Sequence, residues 1–256
     1  MNILKIANHN FSSRLFVGTG KYSSPLIMEK ALTASGTEMV TLALRRVDLN
    51  NPEDNILNHL DRNKYLLLPN TSGAHNADEA IRLARLAKAS GLSNWVKLEV
   101  TPEPKYLLPD GEETLKATIQ LVKEGFVVLP YILPDPILAK KLEDAGASTV
   151  MPLASSIGSN RGIRARELIE IIIEQALIPV VVDAGLGSPS DAALAMEIGA
   201  SAVLVNTAIA SSKDPVTLAT AFAYAVLAGR MAYEAKKNIT GSTMAVSSSP
   251  LDWLIK

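Results

Sequence analysis

A chain of 256 residues is long enough for one (β/α)8 barrel, an architecture that takes about 250 residues as a single domain. Its formal net charge of -1, from 25 basic and 26 acidic side chains, offers no footprint for nucleic acid or an anionic membrane, so any bound anion must be gripped locally. The absence of cysteine removes disulfides, thiolate metal sites and a cysteine nucleophile, and His9, His59 and His75 stand apart, so neither a metal nor a cofactor is expected.

Residues 1–10 lack the continuous apolar core of a secretion signal. The apolar runs at 171–173 and 178–182 are broken by Glu170, Glu174 and Asp183, well short of the roughly 20 residues that span a bilayer. A soluble protein is expected, kept where it is made, in the cytoplasm or an organelle stroma.

After a polar lead, 14–18 reads as a strand ending in Gly18-Thr19-Gly20-Lys21. A nucleotide phosphate loop needs a glycine five residues before its Gly-Lys pair and Ser or Thr after it. Leu15 and Tyr22 occupy those places, so the glycines are read as a tight strand-to-helix turn. Ser23 or Ser24 caps a helix to about residue 34, with Pro25 in its first turn. Residues 38–44 form a second strand, followed by Arg45-Arg46, either a solvated loop or a grip for carboxylate or phosphate. A weak helix at 55–60, a third strand at 65–69 and an amphipathic helix at 77–90 come next.

The fourth strand, Trp95-Val96-Lys97-Leu98-Glu99-Val100, places a lysine in an apolar pattern. Alternation puts Lys97 and Glu99 on one face and Val96, Leu98 and Val100 on the other. In a closed barrel both faces are covered, and desolvation lowers a lysine pKa, leaving some free amine to attack a carbonyl. A structural pairing with Glu99 is the competing reading, and such a partner raises the pKa instead.

Helix and strand signals then alternate: 113–124 helix, 126–132 strand, 137–145 helix, 149–153 strand, a loop of small and polar residues at 155–162, 164–176 helix and 179–184 strand. A helix capped by Ser188 or Ser190, a strand at 202–206 and a long helix at 215–235 complete the pattern. The tail at 238–256 covers the barrel or stays mobile. Eight strands alternating with helices indicate a single-domain (β/α)8 barrel over 1–256, with an open doubly wound sheet as runner-up. Gly185-Leu186-Gly187 after the seventh strand and Asn206-Thr207 after the eighth suit a phosphate site, which barrels often build there. Lys97, Glu99, Asp183 and the Gly158 loop then face one mouth. An amine, two carboxylates and a phosphate grip describe a Schiff-base enzyme acting on a phosphorylated keto sugar.

Six strings carry a further resemblance: 14–22 (RLFVGTGKY), 43–47 (ALRRV), 67–71 (LLPNT), 95–100 (WVKLEV), 182–193 (VDAGLGSPSDAA) and 203–210 (VLVNTAIA). Together they resemble the thiazole synthase family of thiamine biosynthesis over nearly the whole chain. The resemblance implies that Lys97 forms an imine with the C2 ketone of 1-deoxy-D-xylulose 5-phosphate and that the carbonyl then moves to C3. Sulfur would arrive from the C-terminal thiocarboxylate of a ubiquitin-like sulfur carrier protein, and dehydroglycine would supply the remaining atoms of a thiazole phosphate. Glu99 and Asp183 would be acid and base, with Gly158, Ala184, Gly185, Asn206 and Thr207 holding the substrate, mainly its phosphate. A homotetramer is implied, with alternative complexes to the sulfur carrier or to the enzyme producing dehydroglycine. The family usually has Pro-Leu-Gly-Ser-Pro-Ile-Gly-Ser-Gly in the sixth loop, where Ala154, Ser156 and Asn160 now replace Gly, Pro and Gly. Asn tolerates positive φ better than Ala does. Rival readings are another Schiff-base enzyme, such as an aldolase or pyridoxal phosphate synthase, and a non-catalytic barrel that binds a sugar phosphate. Sulfur incorporation separates the first from a thiazole synthase, and a silent Lys97→Ala would mark the second.

Overall fold

The computed structural model describes residues 2–43 and 56–235. The chain opens on an antiparallel hairpin, β1 (Leu4–Ile6) and β2 (His9–Phe11), and continues through β3 (Leu15–Gly18), α1 (Pro25–Ser35) and β4 (Met39–Ala43). A single 3-10 turn (Ile56–His59) precedes β5 (Leu66–Asn70), α2 (Ala77–Ala89), β6 (Trp95–Leu98), α3 (Gly111–Lys123), β7 (Val127–Ile132), α4 (Pro136–Asp144) and β8 (Met151–Pro152). Then follow α5 (Arg166–Gln175), β9 (Val181–Val182), α6 (Pro189–Glu197), β10 (Ala202–Val205), the short α7 (Thr207–Ala210) and α8 (Pro215–Glu234).

Strands β3 to β10 form one parallel sheet in the order β8-β7-β6-β5-β4-β3-β10-β9. Parallel bridges Val150↔Val180 and Leu153↔Asp183 bring β8 against β9 and close the ring. The fold is therefore a (β/α)8 barrel, and the open sheet is excluded by that seam. Arg45, Arg46 and the tail at 238–256 lie outside the described residues.

Period-two alternation decides what goes where. Val96, Leu98 and Val100 face outward into a cluster with Ala80, Ala84 and Leu121 of α2 and α3. Phe16, Met39, Leu68, Trp95, Leu129, Met151, Val181 and Leu204 fill the lower barrel interior. The hairpin contributes Leu4, Ile6 and Phe11 to that same cluster, so it plugs the N-terminal end of the barrel. Sequence reading took this segment as a polar lead, because two three-residue strands carry too little alternation to register.

Loops at the other end pass into helices through polar caps. Asn76, Asp110, Asp135 and Asp214 each accept a backbone N–H two or three residues on, and Ser24 does the same for Ile27. Helix α8 is long and apolar enough by composition to cross a membrane. Here it buries Ala219, Phe222, Val226 and Gly229, three or four residues apart, and packs against α1 and α6 as part of the outer layer.

Candidate active site

Above the apolar interior, the same strand faces turn polar. Gly18, Asn70, Lys97, Asp183 and Asn206, at or beside the C-terminal ends of five strands, line one cavity of about 410 Å³ together with Thr41 of β4. That volume suits a small metabolite. Gly18 is a packing requirement, since a Cβ there would lie 2.9 Å from the Asn206 side chain.

Lys97 is 5 % exposed, Glu99 3 % and Asp183 2 %. The Lys97 ammonium lies 3.0 Å from Glu99 Oε1 and 2.6 Å from Asp183 Oδ2, and 5.2 Å above the centre of the Tyr131 ring. Burial opposes the ammonium, but Asp183 and then Glu99 outweigh it and hold the Lys97 pKa above its ordinary value. Of the two directions the sequence leaves open for the Lys97 pKa, the raised one is found, and Asp183, which no local sequence pattern pairs with Lys97, contributes most to it. The resting side chain is an ammonium with two proton acceptors in direct contact.

Hydrogen bonds hold the Glu99 main chain and the Asp183 carboxylate in place. Thr71 donates its hydroxyl to the Glu99 carbonyl at 2.8 Å and accepts from the Glu99 N–H at 2.8 Å, locking the end of β6 to the end of β5. Asp183 Oδ1 accepts the Ala184 N–H at 2.7 Å, while its main chain joins Pro152 and Ala154 across the β8–β9 seam. Ala184 reaches this geometry at φ +55, a left-handed conformation costly for a residue with a Cβ. Below them, Tyr131 has its hydroxyl buried without a hydrogen-bond partner, and its pKa is driven up by burial, with Asp183 and Glu99 adding to the effect.

Gly158, Ala184, Gly185, Asn206 and Thr207 all line the cavity with the three ionisable groups. Gly158 and Gly185 sit at φ +73 and +74. A Cβ at Gly185 would run into Ser155, so close approach of two loops adds to the backbone requirement there. Asn206 Oδ1 is buried with no hydrogen-bond partner, turned toward Gly18. In the sixth loop Asn160 adopts φ +51, whereas Ala154 is absent from the positive-φ residues and its N–H donates to Asp183 O at 2.7 Å. Asparagine thus stands where the left-handed conformation is used, and alanine where it is not.

Sequence reading did not single out Thr71, Tyr131 or Lys21 as site residues. Thr71 sits in a polar run, Asn70-Thr71-Ser72-Gly73, at a strand end, and closes the 67–71 string, neither of which assigns it a role. Tyr131 has the inward parity of β7, which is legible only once the barrel is closed.

The family model of the thiazole biosynthesis protein ThiG matches residues 5–250 of this chain. The chain belongs to the ThiG family of thiazole synthases. Among its relatives, a thiazole synthase of Syntrophobacter fumaroxidans is 64 % identical over 253 residues, covering 99 % of this chain and 98 % of the relative. Thiazole synthase 1 of Syntrophotalea carbinolica is 61 % identical over 256 residues, covering 100 % and 99 %. A chain of the Amycolatopsis orientalis BexX/CysO complex superposes with TM-score 0.82 at 35 % identity, covering 96 % of this chain and 98 % of that one. Mandelate oxidase, at TM-score 0.64 and 18 % identity over 90 % of this chain and 77 % of that one, shares the fold alone. Membership of the ThiG family makes the chain a thiazole synthase of thiamine biosynthesis, and the cavity around Lys97 is its candidate active site.

Proposed function

We propose that Lys97 condenses with the C2 ketone of 1-deoxy-D-xylulose 5-phosphate to form an imine and release water. The observation that carries this reading is the Lys97 ammonium held between Asp183 and Glu99 in the lining of the cavity. An ammonium cannot attack a ketone, so its proton must first leave, and a carboxylate 2.6 Å away accepts it without involving bulk water. Transfer inside the triad conserves its charge, which makes it far less costly than expelling a proton from a buried site.

Once the imine exists, one proton leaves C3 and one is returned to C2 while the carbonyl forms at C3, an isomerisation with no change in oxidation state. Two carboxylates in contact with the same nitrogen suit removal and return at neighbouring atoms. The Gly158, Gly185, Asn206 and Thr207 positions border the space in which the phosphate would sit. Sulfur would then enter from the thiocarboxylate tail of a ubiquitin-like sulfur carrier protein, and dehydroglycine would complete the ring. That a chain 35 % identical to this one occurs in a two-protein complex supports a protein partner for this fold. A homotetramer acting in the cytoplasm, or in an organelle stroma, completes the reading.

Borohydride reduction in the presence of 1-deoxy-D-xylulose 5-phosphate, followed by peptide mass spectrometry, tests the first step. A reduced sugar adduct on Lys97 is expected. Folded protein that gives none, or gives one on another lysine, removes Lys97 from the mechanism. Transfer of labelled sulfur from a thiocarboxylated carrier into a thiazole product tests the later steps.

A further inference from the structure

The turn Gly18-Thr19-Gly20-Lys21 has no place in the chemistry above, yet its lysine enters the same cavity. Lys21 Nζ lies 3.2 Å from Thr207 Oγ1, beyond β10, and 3.3 Å from where a Cβ on Gly158 would stand, beyond β8. One ammonium thus touches two loops expected to border the substrate phosphate. The residue adopts φ +72, a conformation rare for a side chain other than glycine or asparagine. Strained backbone of this kind concentrates at functional sites.

Charge explains why a cation is needed there. The charged residues lining the cavity, among those described, are Lys21, Lys97, Glu99 and Asp183. Lys97 is outnumbered by its two carboxylate partners, so that cluster carries a net negative charge and repels a phosphate dianion. Lys21, in contrast, has no carboxylate within ion-pair distance among the described residues, and its polar contact among them is a neutral hydroxyl. Its charge is not already spent on the protein.

We infer that Lys21 is the phosphate clamp of this site: on binding, its ammonium leaves Thr207 for a phosphate oxygen of the sugar phosphate, neutralising charge that the Lys97 cluster cannot. The inference rests on the reading of the substrate as a phosphorylated keto sugar and adds the group that selects for the phosphate. A lysine can do this as a point charge without the fixed fork geometry of arginine.

The test is titration of the full chain and its Lys21→Ala and Lys21→Arg variants with 1-deoxy-D-xylulose 5-phosphate and with 1-deoxy-D-xylulose, which lacks the phosphate. Circular dichroism verifies the fold of each variant. Loss of one charge-assisted contact predicts a dissociation constant for the phosphorylated sugar about 10-fold or more higher in Lys21→Ala. The Arg variant should recover part of it, and the unphosphorylated sugar should bind all three proteins alike. Unchanged affinity of Lys21→Ala for the phosphorylated sugar overturns the inference, as does an equal loss for both sugars. So does wild-type protein that binds both sugars equally. Wild-type protein that prefers the phosphorylated sugar but yields no borohydride adduct on Lys97 would sink the imine reading instead, and the Lys21→Ala titration would still decide the clamp.

Discussion

In the proposed reaction three buried side chains, Lys97, Glu99 and Asp183, carry the chemistry, and the lysine can be tested by what its removal strands. Lys97→Ala leaves Glu99 and Asp183 buried side by side with no cation, and breaking a buried pair in this way costs about 3–5 kcal/mol near neutral pH. The deficit should appear as a lowered midpoint in urea titrations. The pH dependence belongs to the intact lysine. Its folded pKa is raised, so its contribution is fully present below the unfolded lysine value of about 10.4 and is lost only as pH rises through the folded value. The proposed mechanism passes that proton to a neighbouring carboxylate and not to water, so it predicts that adduct formation on Lys97 stays flat between about pH 7 and 9. A rate rising tenfold per pH unit would show that solvent removes the proton. Thr71→Val keeps shape but leaves the Glu99 N–H and carbonyl unpaired in a buried site, which should cost about 1–3 kcal/mol and slow adduct formation through a misplaced Glu99.

Among elements, contact between helices outweighs helical propensity. Gly229 lies in α8 where a Cβ would meet the Ala193 carbonyl of α6. Replacing an interior helical glycine by alanine ordinarily gains about 1 kcal/mol. Here overpacking against backbone costs about 1–3 kcal/mol, so Gly229→Ala should be neutral to destabilising, read as a lowered midpoint in urea. A clear gain in stability would mean that the α6–α8 contact is looser than described. Strand β6 makes the complementary point, since one strand carries core on its outer face and chemistry on its inner face. A one-residue slip of register would exchange the two.

For the whole molecule, a barrel needs its interior filled, and the N-terminal hairpin does part of that work from outside the ring. Phe11 is fully buried against Phe16 and Trp95, with ring centroids 5.6 and 6.1 Å away. Phe11→Ala should cost about 3–5 kcal/mol although the residue is remote from the cavity. Light scattering gives the assembly directly: four chains of 27.3 kDa are expected from the family, and a monomer would remove the homotetramer from the reading.

Much of this protein is written locally. Eight alternating strand and helix signals, polar caps such as Asn76 and Asp110, and the parity of Lys97 and Glu99 are short-range properties, because strand alternation and helix capping act over a few residues. The motif strings carried the family, which the matching model and relatives show. What only the tertiary structure decided is how distant positions meet. Ring closure through Val150↔Val180 and Leu153↔Asp183 sets Asp183 against Lys97, 86 positions earlier in the chain, and that contact turns the lysine pKa upward where burial alone would lower it. Pairing of β3 with β10 brings Lys21 to Thr207, and pairing of β5 with β6 brings Thr71 to Glu99. Electrostatic interaction depends on distance in space and on the dielectric around it, neither of which is a local property of sequence.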